Sequence, residues 1–220
     1  MLINVKTIAC IGDSITYNNG DGNGYPGRIK KYLNVIFPDR SFTVLNKGVS
    51  GEHAHEMLAR FEKDAIETYA DLIFIFAGAN DVVHGFTKDF PRGGGPEGSP
   101  LPKYLNSIKT MIAMAREKNK RGILITPPTV FEDENHPADI MLGKYSDALK
   151  ELAAQEDIPV ADVRKAFAEL AKTYRSTCNA KDYLLTVDGV HPNSLGNKVI
   201  TECVLSSMGI LTDAKRNIID

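Results

Sequence analysis

Apolar and polar positions along this chain follow two alternating rhythms. Five short runs are apolar or β-branched: residues 6–11, 42–45, 72–77, 123–126 and 159–161. Each is ended by Gly, Asn, Pro or Asp, which reads as a strand running into a turn. Between these runs the apolar period changes to that of a helix. Ile29, Tyr32, Leu33, Ile36 and Phe37 share one helical face, as do Tyr104, Leu105, Ile108, Met111 and Ile112, and Tyr145, Ala148, Leu149, Leu152 and Ala153. Met57, Leu58, Phe61 and Ala65 form another such stripe. A last helix is expected to start at Pro192 or Asn193, with Leu195, Val199, Ile200, Cys203 and Val204 facing inward. Short strands separated by helices predict an α/β fold with a five-stranded parallel sheet covered on both faces. The Gly- and Pro-rich stretch 91–102 reads as a long surface loop.

Composition narrows the picture without changing it. The chain has 220 residues, 43% hydrophobic and 25% charged, and we expect one domain over 1–220. A formal net charge of -2 offers no electrostatic footprint for nucleic acid. The longest apolar stretch, 72–79, is too short to span a bilayer, so no integral membrane association is expected. Three cysteines with no C-x-x-C pair, and no visible secretory leader, lead us to expect a cytoplasmic protein without a disulfide framework. Cys10 and Cys203 read as small buried hydrophobes. Oligomeric state is left open.

The polar residues at the strand ends carry the chemistry. Gly12-Asp13-Ser14-Ile15-Thr16 follows the first strand, and Asp188-Gly189-Val190-His191-Pro192 precedes the last helix. A serine hydroxyl becomes a nucleophile only when a base takes its proton, and that base needs an orienting partner. Asp188 and His191 are three residues apart, so one loop can hold carboxylate against imidazole, and the first strand delivers Ser14 to them. Asn46 to Gly51 follows the second strand and Gly78-Ala79-Asn80-Asp81 the third. Ligands bind at the carboxyl ends of parallel strands, which aims Ser14, Gly48 and Asn80 at one crevice. A Gly48 amide and an Asn80 side-chain amide are suitable donors for the oxyanion of an acyl-transfer intermediate.

These four segments resemble those of the SGNH (GDSL-type) hydrolases, a superfamily of serine esterases and lipases. The matching residues are Gly12 to Thr16, Gly48, Gly78 to Asp81, and Asp188 to His191, in the order the superfamily shows. The resemblance implies a flavodoxin-like three-layer sandwich. It also implies Ser14 as nucleophile, His191 as base, Asp188 as its orienter, and an oxyanion hole of the Ser14 and Gly48 backbone N–H groups with the Asn80 side chain. The activity expected is hydrolysis of carboxylic esters with short acyl groups, acetyl foremost, through an acyl-enzyme, with a small-molecule ester as substrate and neither cofactor nor metal. A lysophospholipase or thioesterase is the alternative within this chemistry. A flavodoxin-like nucleotide-binding or redox module and a catalytically silent interaction domain are the alternatives outside it.

Competing motifs are weaker. The G-x-G-x-x-G at 22–27 begins ten residues after Gly12, too late for a dinucleotide fingerprint, and reads as a loop before a helix. Asn19 to Lys30 imitates a calcium loop, but Lys30 stands where a bidentate Glu is needed. His53 and His55, two apart, would point to different faces of a helix and read as solvated polar residues at its head. Ser50 is the rival nucleophile, and no G-x-S-x-G elbow exists. The segments 84–100 and 127–131, Phe131 included, leave the sheet at the rim of the crevice and are expected to select the acyl group.

Overall fold

A computed structural model describes residues 4–20, 22–86 and 98–210. All five strands are present: β1 Thr7–Gly12, β2 Thr43–Gly48, β3 Leu72–Phe76, β4 Arg121–Ile125 and β5 Val160–Ala161. They form one parallel sheet in the order β2-β1-β3-β4-β5, the doubly wound order of a flavodoxin-like fold. Register is continuous from Thr7 opposite Thr43 to Gly12 opposite Gly48, and Gly12 also pairs with Phe76 of β3. The strand order reverses between β1 and β3, so the crevice of the fold opens where Ser14 and Asn80 leave the sheet.

Alternation along the strands divides the core into two layers. Ile8 and Cys10 of β1, with Leu72, Phe74 and Phe76 of β3, pack under α2 (Tyr25–Ile36), α7 (Val163–Cys178) and α8 (Ser194–Ser207). Ala9, Ile11, Ile73 and Ile75 face α3 (Ala54–Ala59), α5 (Leu101–Glu117) and α6 (Pro137–Gln155) on the other side. The fold is therefore the expected three-layer α/β sandwich. Each fully buried Ile or Phe contributes about 1.5–3 kcal/mol relative to exposure, which makes β1 and β3 a stiff platform for the residues at their ends.

Several expectations are corrected. The α7 helix was not foreseen, although Val163, Phe167 and Ala171 are buried at helical spacing. Leu195 is not on the inner face of α8 but 43% exposed; Leu205, with Val199, Ile200 and Val204, fills that face, because the buried stripe runs through Gly196, Asn197, Ile200, Thr201 and Val204, on the side of the helix opposite Leu195. Of the stretch 91–102, residues 91–97 lie outside the described residues. Its end is not surface loop: Gly98 and Ser99 are buried and α5 begins at Leu101, where a proline suits the first turn.

Candidate active site

Ser14 opens a one-turn helix, α1 (Ser14–Tyr17), directly after β1. Asp13 caps it: its carboxylate accepts from the Ile15 N–H at 2.9 Å, and Asn18 closes the turn in left-handed conformation. Asp13 is buried, and burial pushes its carboxyl up to about 6. The turn is braced from β2. Asn46 donates its side-chain amide to the Thr16 carbonyl at 2.8 Å, and the Val49 N–H donates to the Gly12 carbonyl at 3.0 Å. Arg60 donates to the same Gly12 carbonyl at 3.2 Å while paired with Glu52 and Asp64.

Opposite this turn, Ser14 Oγ lies 3.0 Å from His191 Nε2, and His191 Nδ1 lies 2.6 Å from Asp188 Oδ2. Asp188 Oδ1 accepts the backbone N–H groups of Val190 and His191 at 2.9 and 2.8 Å. Partial burial pushes the Asp188 carboxyl up, but the bonds from the His191 amide, the His191 ring and the Val190 amide outweigh it and hold the group below its ordinary value. A carboxylate kept ionised there favours the tautomer with its proton on Nδ1, leaving Nε2 to accept from the Ser14 hydroxyl.

Asn80, on the short helix α4 (Ala79–Val83) after β3, is buried and donates one amide N–H to the Glu52 carbonyl at 3.1 Å. An amide nitrogen carries a second donor. The Ser14 N–H belongs to the first turn of α1, where amides have no intrahelical acceptor. Gly48 is at the predicted place but differently engaged: its N–H donates to Asn46 Oδ1 at 3.0 Å. The absence of a side chain at Gly48 has a steric reason, since a Cβ there would collide with the Tyr17 backbone and the Asp13 carbonyl. Close passage of β2 against α1 thus requires glycine independently of any donor role.

Residues 10–199 match the GDSL-like lipase/acylhydrolase family. The chain belongs to that family. As a member it is a serine ester hydrolase of the SGNH type, which sets aside the nucleotide-binding and silent-domain alternatives. Among curated proteins it is similar to an acetylxylan esterase of Geobacillus stearothermophilus, 27% identical over 210 residues that cover 90% of this chain and 92% of that one. It is 26% identical over 180 residues to the isoamyl acetate-hydrolyzing esterase of Saccharomyces cerevisiae, covering 76% and 68%. The crystal structure of the Geobacillus esterase superposes with a TM-score of 0.80 at 26% identity, covering 93% and 94% of the two chains.

The GDSL motifs do not account for every polar group near the site. His53, expected to be solvated, is buried instead: its Nδ1 is 2.8 Å from Ser99 Oγ and its Nε2 is 2.7 Å from His84 Nδ1. Burial, with His84 next to it, pushes His53 down to about 4. Ser99 also donates its N–H to the Asp81 carbonyl at 2.7 Å, and the Asp81 carboxyl accepts from the Ala54 N–H at 3.1 Å. Burial drives Asp81 up to about 7. This network joins the ends of three separate segments, at 53, 84 and 99. It escapes a reading of sequence spacing because its members are 31 and 46 residues apart.

Phe131 lies beside the loop that carries Asp188 and His191. Its ring packs on His136, with centroids 4.3 Å apart, and against the Asp188–Gly189 turn, and its N–H donates to the Gly189 carbonyl at 2.6 Å. Among the described residues, no group of three or more His, Cys, Asp or Glu is placed to hold a metal ion, and no helix is long and apolar enough to cross a membrane. Two cavities, of about 270 and 360 Å³, lie at the start of β4 and beside α7, away from Ser14.

Proposed function

We propose that this chain hydrolyses acetyl and other short-acyl esters of small alcohols or sugars through a Ser14–His191–Asp188 triad. The observation that carries the reading is the continuous contact from Ser14 Oγ through the His191 ring to Asp188, at 3.0 and 2.6 Å. His191 takes the Ser14 proton as Oγ attacks the acyl carbonyl. The resulting oxyanion is held by the Ser14 N–H, the free amide N–H of Asn80 and the Gly48 N–H, the last exchanging its bond to Asn46 for one to the substrate. His191 then protonates the departing alcohol, leaving an acyl group on Ser14, and the same groups activate water to release it. None of these steps calls on a metal or an organic cofactor.

The similar proteins support both halves of the reading. Two of them are named for acetate esters and a third, of Bacillus subtilis, as a probable rhamnogalacturonan acetylesterase. Solved structures of the Geobacillus esterase include catalytic mutants in which a serine, an aspartate or a histidine is replaced by alanine, the last two three positions apart, as Asp188 and His191 are here. We further propose that residues 1–220 form one domain, since all five strands share one sheet. A cytoplasmic location is supported by the few cysteines without C-x-x-C spacing.

Replacing Ser14 tests the reading directly. Ser14→Ala should abolish both turnover of p-nitrophenyl acetate and labelling by a fluorophosphonate, while the wild type loses kcat/KM steadily as the acyl chain lengthens. Full labelling of Ser14→Ala would move the nucleophile to another serine, such as the exposed Ser50. A rising kcat/KM with chain length would favour a lysophospholipase or thioesterase.

A further inference from the structure

The His191 and Asp188 side chains are 41% and 51% exposed, on a loop outside the sheet. Their alignment therefore depends on what ties that loop to the body of the protein. A buried carboxylate from a distant segment does so. Glu132, 4% exposed, accepts the Leu184 N–H on Oε2 at 2.8 Å. Its Oε1 accepts the Leu185 N–H, the Thr186 N–H and the Thr186 hydroxyl at 2.8, 2.9 and 2.9 Å. All four partners are donors, which suits an acceptor-only carboxylate.

Thr186 is also the base of the loop. It bridges to Pro192 in antiparallel fashion, and Val187 donates its N–H to the His191 carbonyl at 2.9 Å. The neighbouring Phe131 holds the tip through its bond to the Gly189 carbonyl. Gly189 has φ +90°, and a Cβ there would come within 2.8 Å of the Phe131 ring and 3.0 Å of the Tyr183 hydroxyl, so the tip is seated between the two aromatics. Phe131 and Glu132 both have left-handed backbones, φ 56° and 47°, which are uncommon for residues with a side chain. The Arg175 guanidinium of α7 anchors this turn by donating to the Phe131 carbonyl at 3.2 Å. Strained backbone persists where surrounding contacts over-determine it, and here the Phe131 N–H and the Glu132 carboxylate both lead to the same loop.

We propose that Glu132, assisted by Phe131, is a positioning residue of the active site that sets the His191 ring against Ser14 by clamping the base and tip of the 184–192 loop. The proposal rests on the triad reading above. Glu132 touches neither substrate nor the reacting atoms; it acts through Thr186 and the loop. Proton transfer from Ser14 needs the imidazole within hydrogen-bond reach, and small misplacements of such groups are costly.

Glu132→Gln keeps the shape but turns an NH2 toward a backbone N–H, so at least one of the four bonds fails. In the folded variant, kcat for p-nitrophenyl acetate should fall on the order of 10- to 100-fold with KM little changed. The strongly deshielded Nδ1–H resonance of His191, expected in the wild type from its short bond to Asp188, should broaden or disappear. Thr186→Val, which removes a single donor, should give a smaller loss in the same direction, and Glu134→Gln, an exposed neighbour, should give none. The proposal is overturned by a folded Glu132→Gln with wild-type kcat and ring resonance, or by a loss of activity that only tracks the folded fraction. Should Glu132→Gln fail to fold, an unchanged kcat and resonance in Thr186→Val overturns it instead. The resonance reports the clamp whether or not Ser14 is the nucleophile, whereas retained hydrolysis by Ser14→Ala strikes only the triad reading.

Discussion

The two halves of the site are built on opposite principles. Ser14 and Asn80 leave the ends of β1 and β3, neighbouring strands buried on both faces, and their local partners Asp13 and Asp81 are buried as well. Asp188 and His191 stand on a loop that faces solvent and is tied down by residues more than fifty positions away. Placement comes with the sheet on one side and has to be supplied by long-range polar contacts on the other. Substitutions on the sheet side should therefore act through the lost group itself, and those on the loop side also through lost alignment.

The sharpest way to break this contrast is at Asp188. In Asp188→Asn, an amide oxygen facing the Val190 and His191 N–H groups would put its NH2 against Nδ1. The imidazole proton would then move to Nε2, where it cannot accept from Ser14. By analogy with serine proteases kcat should drop by about 10⁴-fold, measured by acetate-ester turnover in protein of unchanged thermal stability. A loss of less than tenfold would show that the loop backbone alone orients the ring.

On the sheet side, Asn80→Ala removes the proposed oxyanion donor from a frame that stays in place. We expect kcat to fall on the order of 10²–10³-fold with KM nearly constant. A change in KM alone would make Asn80 a ground-state contact and leave the Ser14 and Gly48 amides as the oxyanion donors.

The smallest expected effect concerns stability on that same side. Asp13 and Asp81 are driven up to about 6 and 7 by burial, so the folded protein holds their protons more tightly than the unfolded chain. Their contribution is fully present below an ordinary aspartate pKa and is lost as pH rises toward 7. Thermal melts of the wild type should show this decline between pH 4 and 7, and Asp81→Asn should flatten part of it. An unaltered slope in Asp81→Asn would place the titration elsewhere.

The sheet side was also the legible side. Short apolar or β-branched runs and the turn residues after each of them reveal β1 to β5, and Ser14, Gly48 and Asn80 sit where those strands end. Asp188 and His191 were readable because three residues separate them. Their clamp was not readable: Glu132 stands in the polar run Glu132-Asp133-Glu134, and only the tertiary contact with 184–186 buries one of the three. His53 was misread for the same reason, its partners lying in other segments. The engagement of the Gly48 N–H by Asn46 depends on a side-chain rotamer, which spacing does not encode.

The contact between Ser14 and His191 joins residues 177 positions apart in the chain. During synthesis at about 5–20 residues per second, Ser14 is added to the chain roughly nine to thirty-five seconds before the imidazole proposed as its base. Until α8 docks, with Asn197 accepting the Tyr25 N–H at 3.0 Å, the hydroxyl of the nascent chain is an ordinary alcohol. On the proposed triad, a chain terminated between residues 161 and 188 carries all five strands but neither Asp188 nor His191, so turnover of an ester would report that the chain has been made past that loop and closed.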